Sequence, residues 1–152
     1  MIRKITIETI TIIFIVLWVY AALSKLLDYN TFLFQLGQSP YTSDFSKPIS
    51  IMLPVTELIL ACLLLDKRTK MLALYASFFL MVFFTGYIYS LLHYSYYVPC
   101  SCGGILGKLS WGSHLLFNFG FMLIALVAIV IYDGDMASTV SPSIKEKNPR
   151  LL

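Results

Sequence analysis

The stretch MLALYASFFLMVFFTGYIYSLL, residues 71–92, contains no charged side chain and decides the class of this protein. A helix rises about 1.5 Å per residue, so roughly 20 apolar residues cross the ~30 Å hydrocarbon core of a bilayer. Three further stretches meet or approach this length, and they run from about Ile5 to Leu27, Ile49 to Leu65 and Leu115 to Tyr132. Because the runs are continuous rather than alternating, they indicate helices and not barrel strands. The sequence therefore predicts four membrane-spanning helices.

The composition of the whole chain supports the same class. Of the 152 residues, 59% are hydrophobic and 12% are charged, whereas soluble domains carry roughly 25% charged residues. A soluble chain of this length cannot bury so much apolar surface in one core. A soluble globular enzyme, an intrinsically disordered chain and a disulfide-dense secreted mini-protein are excluded. The net charge of +3 does not indicate nucleic-acid binding, because the basic residues lie beside apolar runs.

The basic residues predict the orientation in the membrane, since cytoplasmic loops carry an excess of lysine and arginine. Three of the eleven basic residues, Lys25, Lys47 and Lys108, fall on one side of the predicted bundle. The other eight fall on the opposite side and are Arg3, Lys4, Lys67, Arg68, Lys70, Lys145, Lys147 and Arg150. We expect both termini to be cytoplasmic in a bacterial cytoplasmic (inner) membrane. Residues 28–50 and 93–113 then face the periplasm.

The sequence also predicts the structure of two segments outside the apolar runs. Residues 28–37 carry apolar side chains at helical intervals, which predicts a helix lying in the membrane interface. Residues 1–132 are expected to form the transmembrane domain, and residues 133–152 a flexible cytoplasmic tail.

The three cysteines differ in their surroundings. Cys62 lies among leucine and alanine in the second span, where a free cysteine is expected to pack as a small buried hydrophobe. Cys100 and Cys102 lie in VPCSCGGILG, residues 98–107, in the second outer segment. A disulfide between them closes a very small ring that contributes little to stability, and strained exposed disulfides are readily reduced. The pair therefore favours redox chemistry, with soft-metal binding and an incidental pair as alternatives.

Several ionisable or polar side chains lie within or beside the spans. Glu57 is near the middle of the second span, where an ionisable residue generally faces the bundle interior and has a partner or a role. Lys25 is the nearest opposite charge by depth. His93 and His114 flank the cysteine segment, and His114 shares a helix face with Asn118. Glu57 either has a proton or quinone role or forms a polar contact that locks two helices together. His93, which shares a face of the third span with Thr85 and Tyr89, and His114 with Asn118 either form the floor of a pocket beneath the cysteines or hydrogen-bond between helices.

Neither histidine stands at a familiar zinc-site spacing from the cysteines. We therefore predict no metal site, although two adjacent sulfurs would suit a soft ion such as Cu(I).

Over roughly residues 10–132 the chain resembles the MauE branch of the MauE/DoxX membrane protein family. The motifs that carry the resemblance are CSCGGIL at residues 100–106 followed by Trp111, His114 and Asn118, Pro54-x-x-Glu57 in the second span, and ALSKLLD at residues 22–28. The resemblance implies a four-helix membrane bundle associated with redox chemistry. It also implies a link to the maturation of a disulfide-rich periplasmic dehydrogenase, alongside a thioredoxin-like partner.

The layout is also similar to the vitamin K epoxide reductase family, which couples loop cysteines to a quinone in a four-helix bundle. This chain departs from that family because it has C-x-C rather than C-x-x-C and no evident second cysteine pair. Ser101 and Phe117 also stand where MauE relatives carry other residues, which leaves the detailed mechanism open.

The sequence thus predicts an all-α bundle of four transmembrane helices that acts as a thiol–disulfide oxidoreductase or redox relay. The expected site residues are Cys100 and Cys102 as the reacting pair, and Lys25, Glu57, His93, His114 and Asn118 in support. The expected partners are the lipid bilayer and a periplasmic thioredoxin-fold protein or another membrane subunit, and a membrane quinone is the candidate electron carrier. The alternatives are a non-enzymatic subunit that scaffolds a larger periplasm-facing complex, and a soft-metal (copper) handling site.

Overall fold

The computed structural model describes residues 2–94 and 111–147, and their regular structure is helical. The long helices are α1 (Ile2–Leu27), α3 (Ser46–Leu65), α4 (Lys70–Tyr94) and α5 (Trp111–Lys147). A shorter helix, α2 (Tyr29–Gln38), and one turn of 3₁₀ helix (Ser43–Phe45) connect α1 to α3. Cys100 and Cys102 lie outside the described residues, in the segment that joins α4 to α5.

Four stretches of the described chain are long and apolar enough to cross a membrane. They are Ile2–Leu27, Ser43–Leu65, Lys70–Tyr94 and Gly112–Tyr132. The predicted all-α bundle of four transmembrane helices is therefore confirmed. Each long helix begins one to four residues before the corresponding apolar run, and α5 continues beyond Tyr132 as far as Lys147. The cytoplasmic position of the termini and the division into a domain and a flexible tail stay predictions.

The core of the bundle is formed by one face of each long helix. On α1, Phe14, Trp18 and Ala22 recur at helical spacing and are buried. Trp18 Nε1 donates a hydrogen bond of 2.9 Å to Ser77 Oγ on α4. The Phe14 ring meets the Phe121 ring of α5 edge-on, with 5.6 Å between centroids. These contacts join α1 to α4 and α5.

The short helix α2 closes one end of the bundle. Its two buried side chains, Phe32 and Leu36, lie one turn apart and face inward. Tyr29 at its first position shares a 2.9 Å hydrogen bond with the Ser50 hydroxyl of α3. Beyond its C-terminus, the Ser39 hydroxyl accepts a hydrogen bond of 2.9 Å from the Tyr87 hydroxyl of α4. The helix expected over residues 28–37 is present, and its place in the membrane interface stays a prediction.

Cys62 is exposed on the surface of α3, so the expectation that it packs inside the bundle is wrong. Its neighbours Leu60, Ala61 and Leu64 are the buried residues of this turn. Six of the 20 residues of α3 are buried. An apolar side chain gains little free energy by packing in the core rather than facing lipid, because lipid is equally apolar. The residue type of Cys62 therefore did not reveal which side of the helix it occupies.

Candidate functional site: a buried polar cluster

An ion pair joins α1 to α3 inside the bundle. Lys25 Nζ lies 2.7 Å from Glu57 Oε1 and also donates to the Ala21 carbonyl oxygen at 3.1 Å. Glu57 has 0% of its surface exposed, and Lys25 is buried as well. The Lys25 ammonium lies 6.0 Å from the centroid of the Phe32 ring, at the limit of a cation–π contact. Lys25, which the sequence analysis placed nearest to Glu57 in depth among residues of opposite charge, is thus its partner.

His114 approaches this ion pair from the first turns of α5. Its side chain is buried, at 6% exposure, and the Phe117 ring stands at 88° to its imidazole with 6.5 Å between centroids. Among the described residues, neither ring nitrogen of His114 has a hydrogen-bond partner, and neither does Glu57 Oε2. Buried polar atoms are nearly always hydrogen-bonded in native proteins, so these three atoms require an explanation.

All three atoms belong to residues that line one cavity of about 90 Å³. The polar residues of its lining are Ser24, Lys25, Glu57, Tyr87, His114 and Asn118. The apolar residues are Leu17, Trp18, Ala21, Phe32, Leu36, Leu53, Met81, Phe84, Ile88 and Phe117. The cavity therefore combines a few convergent polar groups with aromatic and aliphatic walls, which is the usual make-up of a binding site.

The cavity lies toward the end of the bundle where α1 and α4 finish and α5 begins. Lys25 is in the last turn of α1, Ile88 is in the later part of α4, and His114 follows Trp111 by three residues. The other end of the bundle carries a second ion pair, in which Lys70 Nζ donates to both carboxylate oxygens of Glu8 at 2.9 Å. That pair is less enclosed, because 48% of the Glu8 side chain is exposed.

The structure brings four of the five supporting residues predicted from sequence around this cavity, namely Lys25, Glu57, His114 and Asn118. It does not bring His93 there. His93 is exposed, and its ring stacks on Tyr89 with 4.1 Å between centroids. Across the described part of the chain, no three histidine, cysteine, aspartate or glutamate side chains are grouped closely enough to hold a metal ion.

Sequence reasoning missed the aromatic contribution to this site. Trp18 and Tyr87 line the cavity, but both lie in apolar runs, where the sequence does not distinguish them from ordinary core residues. A signal was available on α1, since Trp18, Ala21 and Lys25 are three and four residues apart and therefore share a helix face. No comparable spacing on α4 singles out Tyr87 among its many aromatic neighbours.

Four apolar helices around a buried ion pair define a multi-pass membrane protein with a polar site inside its bundle. Residues 3–131 match the family described as methylamine utilisation protein MauE. The chain belongs to this family, which confirms the resemblance found in its motifs. Comparison with curated proteins and with solved structures found no match.

Proposed function

We propose that this protein is a membrane thiol–disulfide oxidoreductase or redox relay, and that Cys100 and Cys102 are its reacting pair. The observation that carries the proposal is the Cys-Ser-Cys sequence in the segment joining α4 to α5. The helix before that segment, α4, ends and the helix after it, α5, begins at the end of the bundle where the polar cavity lies. Membership of the family described by methylamine utilisation supports a role in that process.

The proposed reaction is disulfide exchange with a periplasmic thioredoxin-fold partner. The Cys100 thiolate attacks one sulfur of the partner's disulfide, which forms a mixed disulfide and releases the partner's other sulfur as a thiolate. The Cys102 thiolate then attacks Cys100, which closes the Cys100–Cys102 disulfide and releases the reduced partner. Two electrons and two protons pass to the partner, and the reverse sequence oxidises it. A membrane quinone or another membrane subunit is the proposed second electron carrier.

Trapping of the mixed disulfide tests this function directly. We expect Cys102→Ser to accumulate a covalent adduct in cells, seen as a slower band on a non-reducing gel after acid quenching and lost on reduction. The physical reason is that the mixed disulfide persists when the resolving sulfur is absent. Mass spectrometry of the band should identify a thioredoxin-fold protein joined through Cys100.

Cys62→Ser is the matched control, since Cys62 is exposed on α3 outside the proposed pair, and it should trap nothing and change nothing. If neither Cys100→Ser nor Cys102→Ser traps a partner, and the double variant supports full function, the scaffold hypothesis replaces this one. Stoichiometric copper on the purified, reduced protein, lost in the double variant, would instead favour the soft-metal hypothesis.

The proposed function needs residues 93–113 to face the periplasm, and cysteine labelling tests this. Asp44 and Arg68 are both exposed, in the α2–α3 and α3–α4 connections respectively. In a background without native cysteines, Asp44→Cys should react with a membrane-impermeant thiol reagent in intact spheroplasts. Arg68→Cys should react only after lysis, because the basic residues around it favour the cytoplasmic side. The opposite pattern would place Cys100 and Cys102 in a reducing compartment.

A further inference from the structure

We propose that the cavity between Lys25, Glu57 and His114 holds a cluster of internal water molecules and acts as a proton-exchange site within the bundle. Water in this cavity would hydrogen-bond to Glu57 Oε2 and to the imidazole of His114. The inference does not depend on cysteine chemistry, so it can fail while the proposed function stands, and the reverse also holds.

Three buried polar atoms that have no hydrogen-bond partner among the described residues favour water in this cavity. Within residues 2–94 and 111–132, Glu57 Oε2 and both ring nitrogens of His114 are buried and lack hydrogen bonds. A carboxylate oxygen only accepts, whereas a neutral imidazole has one donor and one acceptor nitrogen. Leaving such atoms unpaired in a low-dielectric interior is unfavourable, most of all for a charged group. Water satisfies all three, because each molecule both donates and accepts.

The size of the cavity also favours water. Its volume of about 90 Å³ is several times the ~10–15 Å³ that one internal water needs. A few water molecules fit this space, and each finds polar partners on its wall. A purely apolar cavity of this size would stay empty, so the convergence of polar groups is what favours water.

Ionisable side chains from all four long helices line the cavity. Each long helix contributes one ionisable side chain to the wall, namely Lys25 from α1, Glu57 from α3, Tyr87 from α4 and His114 from α5. Ionisable side chains inside membrane proteins generally face the bundle interior and mark proton or ion pathways. In each proton transfer between these groups and water, an O–H or N–H bond breaks on the donor and one forms on the acceptor. No electron moves, and bulk water is the source and sink of the proton.

The two histidines of the chain provide a sharp test, because one is exposed and the other lines the cavity. The full-length protein would be labelled with ¹⁵N-histidine, reconstituted in lipid bilayers and examined by solid-state NMR, with His93→Gln used to assign the signals. We expect magnetisation from water protons to reach the ring nitrogens of both His93 and His114. Transfer to His93 without transfer to His114 would show a dry cavity and overturn the proposal.

A pair of glutamate variants tests whether the water cluster couples Glu57 to His114. Glu57→Gln should shift the ring ¹⁵N resonances of His114, since it changes the hydrogen-bonding of the shared water, and should leave those of His93 unchanged. Glu8→Gln is the matched control, because Glu8 also pairs with a lysine but at the other end of the bundle. Unchanged His114 resonances in Glu57→Gln, or equal shifts in both variants, would contradict the coupling. The water-transfer result on the unmodified protein does not require either variant to fold.

Discussion

Replacing Glu57 with leucine is expected to lower the free energy of unfolding by about 3–5 kcal/mol, as breaking a buried ion pair does in soluble proteins. Glu57 is fully buried and its Oε1 lies 2.7 Å from Lys25 Nζ. Leucine fills similar space but leaves the Lys25 ammonium uncompensated inside the bundle. The measurement is reversible denaturation of the purified protein in mixed micelles, followed by circular dichroism.

Removal of both charges separates the stranded charge from the other effects of the substitution. In the double variant Lys25→Met/Glu57→Leu no charge remains to be desolvated, so most of the stability lost in Glu57→Leu should return. Glu8→Leu is the matched control in the second ion pair, and it should cost less because 48% of the Glu8 side chain is exposed. Equal losses in the double and the single variant would mean that the pair stabilises through packing rather than charge.

Trp18→Ala is expected to have the second large effect, a loss of about 3–5 kcal/mol of unfolding free energy. Trp18 is 1% exposed, packs near Phe14 and Phe84 and donates its indole hydrogen bond to Ser77. Truncation leaves a void where α1 and α4 meet and leaves the Ser77 hydroxyl without its donor. The same denaturation experiment measures the loss.

Trp18→Phe divides this loss into its parts, because the phenyl ring keeps much of the packing and removes the hydrogen bond. It should cost about 1–3 kcal/mol. Val16→Ala is the control on the opposite face of α1, where Val16 is 62% exposed, and it should change stability by no more than about 0.5 kcal/mol. A loss in Val16→Ala that equals the loss in Trp18→Ala would mean that the outward face of α1 is packed against another protein.

The number and type of spans followed from the sequence alone. A bilayer sets the length of an apolar helix, and every backbone polar group in lipid must be satisfied within the helix. Continuous apolar runs of the right length therefore admit few alternatives. The sequence did not determine the ends of the helices, as α5 shows by continuing past Tyr132 to Lys147. Hydropathy marks where a helix is in lipid and does not mark where it ends.

Part of the candidate site could also be found without a structure. Lys25 and Glu57 stand out because a charge in an apolar run is costly and must have a compensating partner. His114 and Asn118 were found by their helical spacing and their place after the cysteine segment. Trp18 could have been found by its helical spacing from Lys25, whereas Tyr87 carried no such signal, since α4 holds many aromatic residues like it.

What the sequence determined by itself was the class of the protein, its four spans and the few polar residues that lipid would not tolerate. The tertiary structure decided which face of each helix turns inward. It buried His114 and left His93 exposed, and it placed Cys62 on the surface of α3. The physical reason is that lipid is as apolar as leucine, so the polarity of an apolar residue does not reveal its side in a membrane helix. Shape complementarity and the few polar contacts between helices make that choice, and both depend on residues far apart in the chain.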